Sequence, residues 1–425
     1  MQKVIILLLL SSLSAWGEAQ AAEPAASAES AHATETPPIF WKHEKFVLAP
    51  PRPDGGAVLS VDPSATAAPT QIFKWHGGLW ASGVYQQRLT ADGSIFFRPV
   101  DGGESAVSLD GAILGADVDL GSGFAIKFTF LAGNTARILN LSSLETGSFA
   151  MSEASVAWTG ASDVIRVGRM NTFLGMESID GTQNITASRG ILFTYLDPYG
   201  QVGVNWHHAF NPSISIDSWV FGGEDRMVDN NYSKTLGLAA TWNSDGATDK
   251  FVSVAAFRGA EQDRLDAKHP VAGAEDRHRL RLAMMGGWAW GSTTLQWEGH
   301  LGQEDFAAGA LSGTTAAQTA HWMGGGLIFR QGLVGNFGLF GRAEYVYDES
   351  AVRLSIDPTI AASYKNRSAI DLQAISGALG LDFRAPPAFA RLEIREDRLN
   401  KDISGLEGRQ YRDGLSYTLC VGAGF

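Results

Sequence analysis

The chain carries one cysteine, Cys420, in 425 residues, so no disulfide can form within it. An exported protein of this size without a disulfide framework takes its stability from hydrogen bonding and packing, or from a membrane. Basic residues are also in short supply: 33 Lys and Arg stand against 45 Asp and Glu, a formal net charge of −12 that argues against nucleic acid as a partner. After the first ten residues no apolar run is long enough for a membrane helix. That absence does not exclude a membrane, because barrel strands alternate their faces and average to a mean hydropathy near zero, here −0.03. No Ser, His and acid arrangement stands out as a nucleophilic site, so the chain reads as a non-enzyme. His207 and His208 are neighbours that a strand would point to opposite faces, so they make no two-histidine metal site, and no cofactor is expected.

The first feature that is present is a leader-like pattern. Lys3 precedes the apolar run Val4 to Leu10, and small residues lead to Ala19-Gln20-Ala21. This pattern predicts a secretory signal peptide over residues 1–21. Residues 22–70 are rich in Ala, Ser, Glu and Pro, with Pro37, Pro38, Pro50, Pro51, Pro53 and Pro63 among them. Prolines this dense cannot feed a sheet ladder, so the stretch is expected to be a flexible periplasmic segment. It is too short and too Pro-rich for the globular plug that energised uptake would need.

Residues 71–425 change rhythm to segments of roughly ten residues with period-two alternation, the length of a tilted strand crossing a bilayer. The last segment is the clearest. Leu415, Tyr417, Leu419, Val421, Ala423 and Phe425 are apolar, and Ser416, Thr418, Cys420, Gly422 and Gly424 between them are small or polar. Leu392 and Ile394 alternate likewise with Arg391, Glu393 and Arg395, and Leu280, Leu282 and Met284 with Arg279 and Arg281. Connections alternate between short, as at Gly291-Ser292, and long, as at Met170 to Gly200 and Arg398 to Asp413. A soluble sandwich has no reason to sort loop lengths by end. The pattern predicts an all-β, transmembrane, antiparallel up-and-down β-barrel of about 16 strands, within about 14 to 18, with both termini on the periplasmic side. A barrel that wide encloses an aqueous channel unless loops plug it. Trp80, Tyr85, Trp158, Trp206, Trp242, Trp288, Trp290, Trp297, Tyr347 and Tyr417 are candidates for interfacial girdles, with core packing or loop anchoring the alternative for some of them. Gly324, Gly325 and Gly326, inside a strand pattern, favour close packing or curvature over phosphate binding.

The stretch Val167-Gly168-Arg169, with Gly175, Met176, Glu177 and Asp180, then Ser188-Arg189-Gly190, Phe193, Tyr195 and Pro198, resembles the OmpL-like family of β-barrel porins. Where that family often has Pro before Ile-Gly or Leu-Gly, Phe173 precedes Leu174-Gly175 here. The resemblance implies a porin of the Gram-negative outer membrane, in contact with lipid and lipopolysaccharide and inserted by the barrel-assembly machinery. Tyr417, Leu419, Val421 and the terminal Phe425 resemble the assembly signal of such barrels. A homotrimer is one assembly state that this width allows.

The link from Met170 to Gly200 is the longest, and is expected to fold into the lumen and constrict it. Glu177, Asp180 and Arg189 would then face wall cations such as Lys127, Arg166, Arg279, Arg281 and Arg342, and ions would meet a transverse field; the alternative is that these charges solvate a loop outside the barrel. Glu298, Glu344, Arg391, Glu393 and Arg395 add charges of both signs to the lumen face, so ion selectivity should be weak. The function expected is passive diffusion of small hydrophilic solutes and ions; the alternative is a structural or adhesive barrel with a closed lumen.

Overall fold

A strand with apolar side chains on one face and polar ones on the other needs two environments at once, and a bilayer around an aqueous or packed lumen supplies both. The computed structural model describes residues 73–87, 97–98, 106–141, 147–229, 231–244, 249–262, 276–306, 317–354, 360, 370–404 and 410–425. The expected leader, 1–21, and the Pro-rich segment, 22–70, lie outside the described residues.

Sixteen strands form the wall. They are β1 (Phe73–Gln86), β2 (Ala106–Gly121), β3 (Phe124–Ala132), β4 (Phe149–Thr159), β5 (Asp163–Asn171), β6 (Gly200–Asn211), β7 (Ile214–Glu224) and β8 (Thr235–Asn243). There follow β9 (Asp249–Ala260), β10 (His278–Trp290), β11 (Thr293–Phe306), β12 (Gln318–Gly332), β13 (Phe337–Asp348), β14 (Leu372–Ala385), β15 (Ala388–Ser404) and β16 (Gln410–Gly424). Each pairs antiparallel with its sequence neighbours, and β1 pairs with β16 to close the barrel. Closure matters because every unpaired backbone group in hydrocarbon costs several kcal/mol. The seam is complete to the chain end: Gly77 N donates to Phe425 O at 2.9 Å, and Phe425 N to Gly77 O at 2.8 Å.

The alternation expected along the strands is observed. Tyr417, Leu419, Val421 and Phe425 are exposed on the outer face, and Ser416, Thr418 and Cys420 point inward, buried. Leu280, Leu282 and Met284 likewise face out while Arg281 is buried inside. Short links join strands at one end, for example 122–123, 212–213 and 291–292, and long ones at the other, of which 172–199 is the longest. The last link departs from the expectation. β15 and β16 extend past the expected ends, leaving only 405–409 between them, with a register irregularity between Arg398 and Ile403. Trp80 departs too: it is 2% exposed and points into the lumen, so it belongs to no girdle. Among the aromatics near the short links, Trp158, Trp206, Trp242, Trp288 and Trp290 do face outward.

At the long-link end, charge is held tightly. Glu224 closes β7 and receives Arg279 and Arg281 at 2.8 Å each, and Arg279 also reaches Glu304 at 2.7 Å. Glu261, just beyond β9, accepts from Thr235 Oγ1 at 2.6 Å and from Glu224 N at 2.8 Å. Burial pushes the Glu261 carboxyl up to about 7, against the pull of Arg279. An acid whose pKa is raised by folding holds its proton more tightly in the folded chain. Its contribution is therefore full below the unfolded value of about 4.3 and lost as pH rises through the raised one. Amide exchange in residues 225–235 is expected to quicken as pH goes from about 5 to about 8, beyond the intrinsic base-catalysed trend, and Glu261→Gln should remove that excess. An excess that persists in Glu261→Gln would show that another group sets it.

Candidate functional site

The segment 172–199 joins β5 to β6 and is built unlike a solvent loop. Phe173, Leu174, Met176, Ile179, Ile185, Ile191, Leu192, Phe193, Tyr195 and Leu196 are all buried. Apolar residues at this density cannot stay in water, and the bilayer is on the far side of the wall, so the segment turns into the barrel. Its neck is closed by Thr172 N donating to Tyr199 O at 3.1 Å. A 3₁₀ turn, Gly181–Gln183, is capped by the Asp180 side chain on Thr182 N. A short helix, Ile191–Tyr195, follows Gly190.

Apolar side chains dock the segment around the wall. Phe173 stacks on Trp219 with centroids 4.3 Å apart and packs with Phe257 and Met285 on β9 and β10. Met176 and Ile185 meet Ile328 and Phe340. Ile179 and Phe193 lie with Trp80, Leu131 and Phe389. Ile191, Leu192 and Leu196 join Trp322, Val346, Leu372 and Leu399 from β12 to β15, together with Phe97 and Leu354 from other long links. Each fully buried side chain of this kind contributes about 1.5–3 kcal/mol. The glycines of β12 make the seat: a Cβ at Gly326 would stand 2.8 Å from Leu192 Cδ1, and one at Gly324 would be 2.7 Å from Leu192 Cδ2. Gly326→Val is therefore expected to lift the short helix from the wall and expose the segment to protease, while Gly377→Ala, with open space at its Cβ, should not.

Polar contacts fix the rest. Irregular backbone away from water leaves N–H and C=O groups that need partners, and the wall charges supply them. Glu298 accepts from Met176 N at 2.6 Å, Glu393 from Ala187 N at 2.9 Å, and Glu344 from Ile191 N at 3.0 Å. Arg342 donates to Ser188 O at 2.6 Å and Arg391 to Gly181 O at 2.9 Å; Arg395 reaches Arg189 O and Arg281 reaches Leu196 O. Sequence reasoning placed these charges in the lumen but gave them the role of lining it. In the structure Arg281, Glu298, Arg342, Glu344, Arg391, Glu393 and Arg395 hold the segment's backbone.

The three segment charges separate. Glu177 pairs with Arg342 at 3.0 Å, and Arg342 with Glu344 at 3.0 Å. Arg189 is buried, donates to Ile179 O at 2.8 Å and lies over the rings of Trp80 and Phe193 at 6.0 and 5.4 Å. Asp180 is the one of the three that reaches the polar cavity between the segment and the β1 to β5 wall. Ser178 and Gln183 border that cavity from the segment; His76, Lys127, Glu153 and Arg166 border it from the wall. The room it leaves for water is about 60 Å³. Lys127 and Glu153 pair at 3.4 Å. Arg279 lies away from it, paired with Glu224 and Glu304.

A closed antiparallel barrel of sixteen strands, apolar outside and carrying charge inside, defines an outer-membrane barrel of the porin type. The chain belongs to the family described as "Putative beta-barrel porin-2, OmpL-like", whose model matches residues 80–425. No curated protein sequence matches it. Among solved structures it is similar to OmpT, an outer membrane protein of Vibrio cholerae in trimer form, with a TM-score of 0.52 and 9% identity over 83% of this chain and 99% of that one. It is also similar to OprB of Pseudomonas putida, with a TM-score of 0.55 and 8% identity over 83% of this chain and 94% of that one. The anion-selective porin of Comamonas acidovorans gives a TM-score of 0.50 and 13% identity over 83% of this chain and 99% of that one.

Proposed function

We propose that the chain is a passive porin for small hydrophilic solutes and ions, constricted by the segment 172–199 and conducting along the β1 to β5 side of the lumen. The observation that carries this reading is the polar cavity shared by Asp180 and Gln183 with Lys127, Glu153 and Arg166. Towards β12 to β15 the segment packs through apolar side chains, Ile191, Leu192 and Leu196 among them, which gives ions less favourable ground than the polar cavity does. Charges of both signs border the cavity, so neither cations nor anions are strongly excluded. Asp180→Asn keeps the capping acceptor for Thr182 N and removes one negative charge, and should shift the reversal potential in a salt gradient towards anions. An unchanged reversal potential would place the ion path elsewhere.

The same reading includes export by a leader cleaved after Ala21, insertion by the barrel-assembly machinery through Tyr417, Leu419, Val421 and Phe425, and residence among lipids and lipopolysaccharide of a Gram-negative outer membrane. Assembly as a homotrimer belongs to it as well, and the mass of the detergent-solubilised particle tests that. One observation favours a second reading, a structural or adhesive barrel with a closed lumen: the segment packs against β1, β7 to β10 and β12 to β15 alike. Conductance separates the two.

A further inference from the structure

Glu298 and His300 stand two apart on β11, so the strand's period of two sends both side chains into the barrel. There they meet Asp197, at the outgoing end of the segment 172–199. His300 Nε2 is 3.2 Å from Asp197 Oδ1 and 3.8 Å from Glu298 Oε1. The side chains of Asp197 and His300 are 1% exposed and that of Glu298 is 3% exposed. Neither oxygen of Asp197 and neither ring nitrogen of His300 has a hydrogen bond of acceptable geometry. Glu298 turns its other oxygen to Met176 N, leaving Oε1 towards the histidine. The backbone makes room as well: Gly175 has a φ of +97°, and a Cβ there would collide with Asp197 Oδ2. Two buried carboxylates facing one imidazole are costly to hold unless a cation, the protonated ring or a metal ion, lies between them.

We propose that Asp197, Glu298 and His300 form a site for a first-row divalent cation of the zinc type, which staples the segment 172–199 to the barrel wall. Tetrahedral Zn²⁺ with donors at about 2.1 Å spaces them about 3.4 Å apart, the range of the two separations here. An imidazole with two carboxylates suits Zn²⁺ better than Mg²⁺ or Ca²⁺, and three protein ligands leave a fourth position for water. The two negative charges balance the ion. Glu298 grips the incoming end of the segment through Met176 N, and Asp197 supplies the outgoing end, so one ion would tie both ends to β11. The site departs from the expectation that the chain has no metal, and it stands independently of the conducting path, because a closed barrel could carry it equally.

The test uses the untagged full barrel purified in detergent, stripped with chelator and desalted, then titrated with ZnCl₂. The result expected is about one equivalent of zinc retained per chain, slower protease cleavage within 172–199 when zinc is added, and loss of both in His300→Gln and in Glu298→Gln. His207→Gln/His208→Gln should retain the metal. Co²⁺ in place of Zn²⁺ should give the visible spectrum of a low-coordinate ion, absent in His300→Gln. No retained zinc in a barrel whose heat-modifiable gel migration shows it folded, or equal retention by wild type and His300→Gln, would overturn the proposal.

Discussion

Deleting Gly175 to Thr186 and bridging the gap with a short Gly-Ser linker is expected to raise single-channel conductance severalfold. This stretch supplies Ser178, Asp180 and Gln183 to the cavity, and Met176, Ile179 and Ile185 to the packing that fills the mid-lumen. The wall itself is untouched, because β5 and β6 pair over nine residues, Asp163 to Asn171 against Gly200 to His208, without help from the segment. A sixteen-stranded wall encloses far more width than side chains can fill, so the space vacated becomes water. Weaker ion preference should accompany the larger current, since Asp180 is gone while the wall charges remain. Conductance equal to that of the intact chain, in a barrel shown to be folded, would remove the segment from the ion path.

Arg342→Ala is expected to undock the segment. Arg342 reaches Glu177 Oε1 at 3.0 Å, Glu344 Oε2 at 3.0 Å, Thr186 Oγ1 at 3.1 Å and Ser188 O at 2.6 Å, all inside the barrel. Removing it leaves two carboxylates buried side by side without their cation, a change that costs about 3–5 kcal/mol where it has been measured in other proteins. The segment can escape that cost by leaving the wall, because the strands keep their own ladder. Protease cleavage within 172–199 should therefore appear, and the open channel should become noisy, while the urea midpoint of the barrel moves little. The paired change Glu177→Gln/Arg342→Met removes both signs together and should restore much of the protection, a coupling that a double-mutant cycle measures. An Arg342→Ala variant as protected as the intact chain would show that apolar docking alone holds the segment.

The wall was legible in the sequence because its signals are local. Period two in Leu415 to Phe425 assigns each residue a face, and the alternation of 122–123 with 172–199 assigns each link an end. Between a girdle and core packing the sequence leaves Trp80 undecided, because Leu79 and Trp80 are adjacent and both apolar and the parity of β1 is set only by its register with β16. The entry of 172–199 into the barrel could be inferred from its length, and the glycines of β12 announced a close approach without naming Leu192 as what approaches. The roles of the wall charges were not legible. Arg391 and Glu393 bind backbone atoms of the segment, and backbone atoms leave no mark on composition. Glu298 and His300 could have been paired by their spacing; Asp197, roughly a hundred residues earlier, joins them only through the fold.

Current through the unaltered protein tests the central claim most directly. The barrel, placed in a planar bilayer with a salt gradient, is expected to give discrete steps, smaller than those of the segment deletion, with a reversal potential near zero. Silence from protein shown to be folded and inserted would contradict the porin reading and leave a closed barrel in its place.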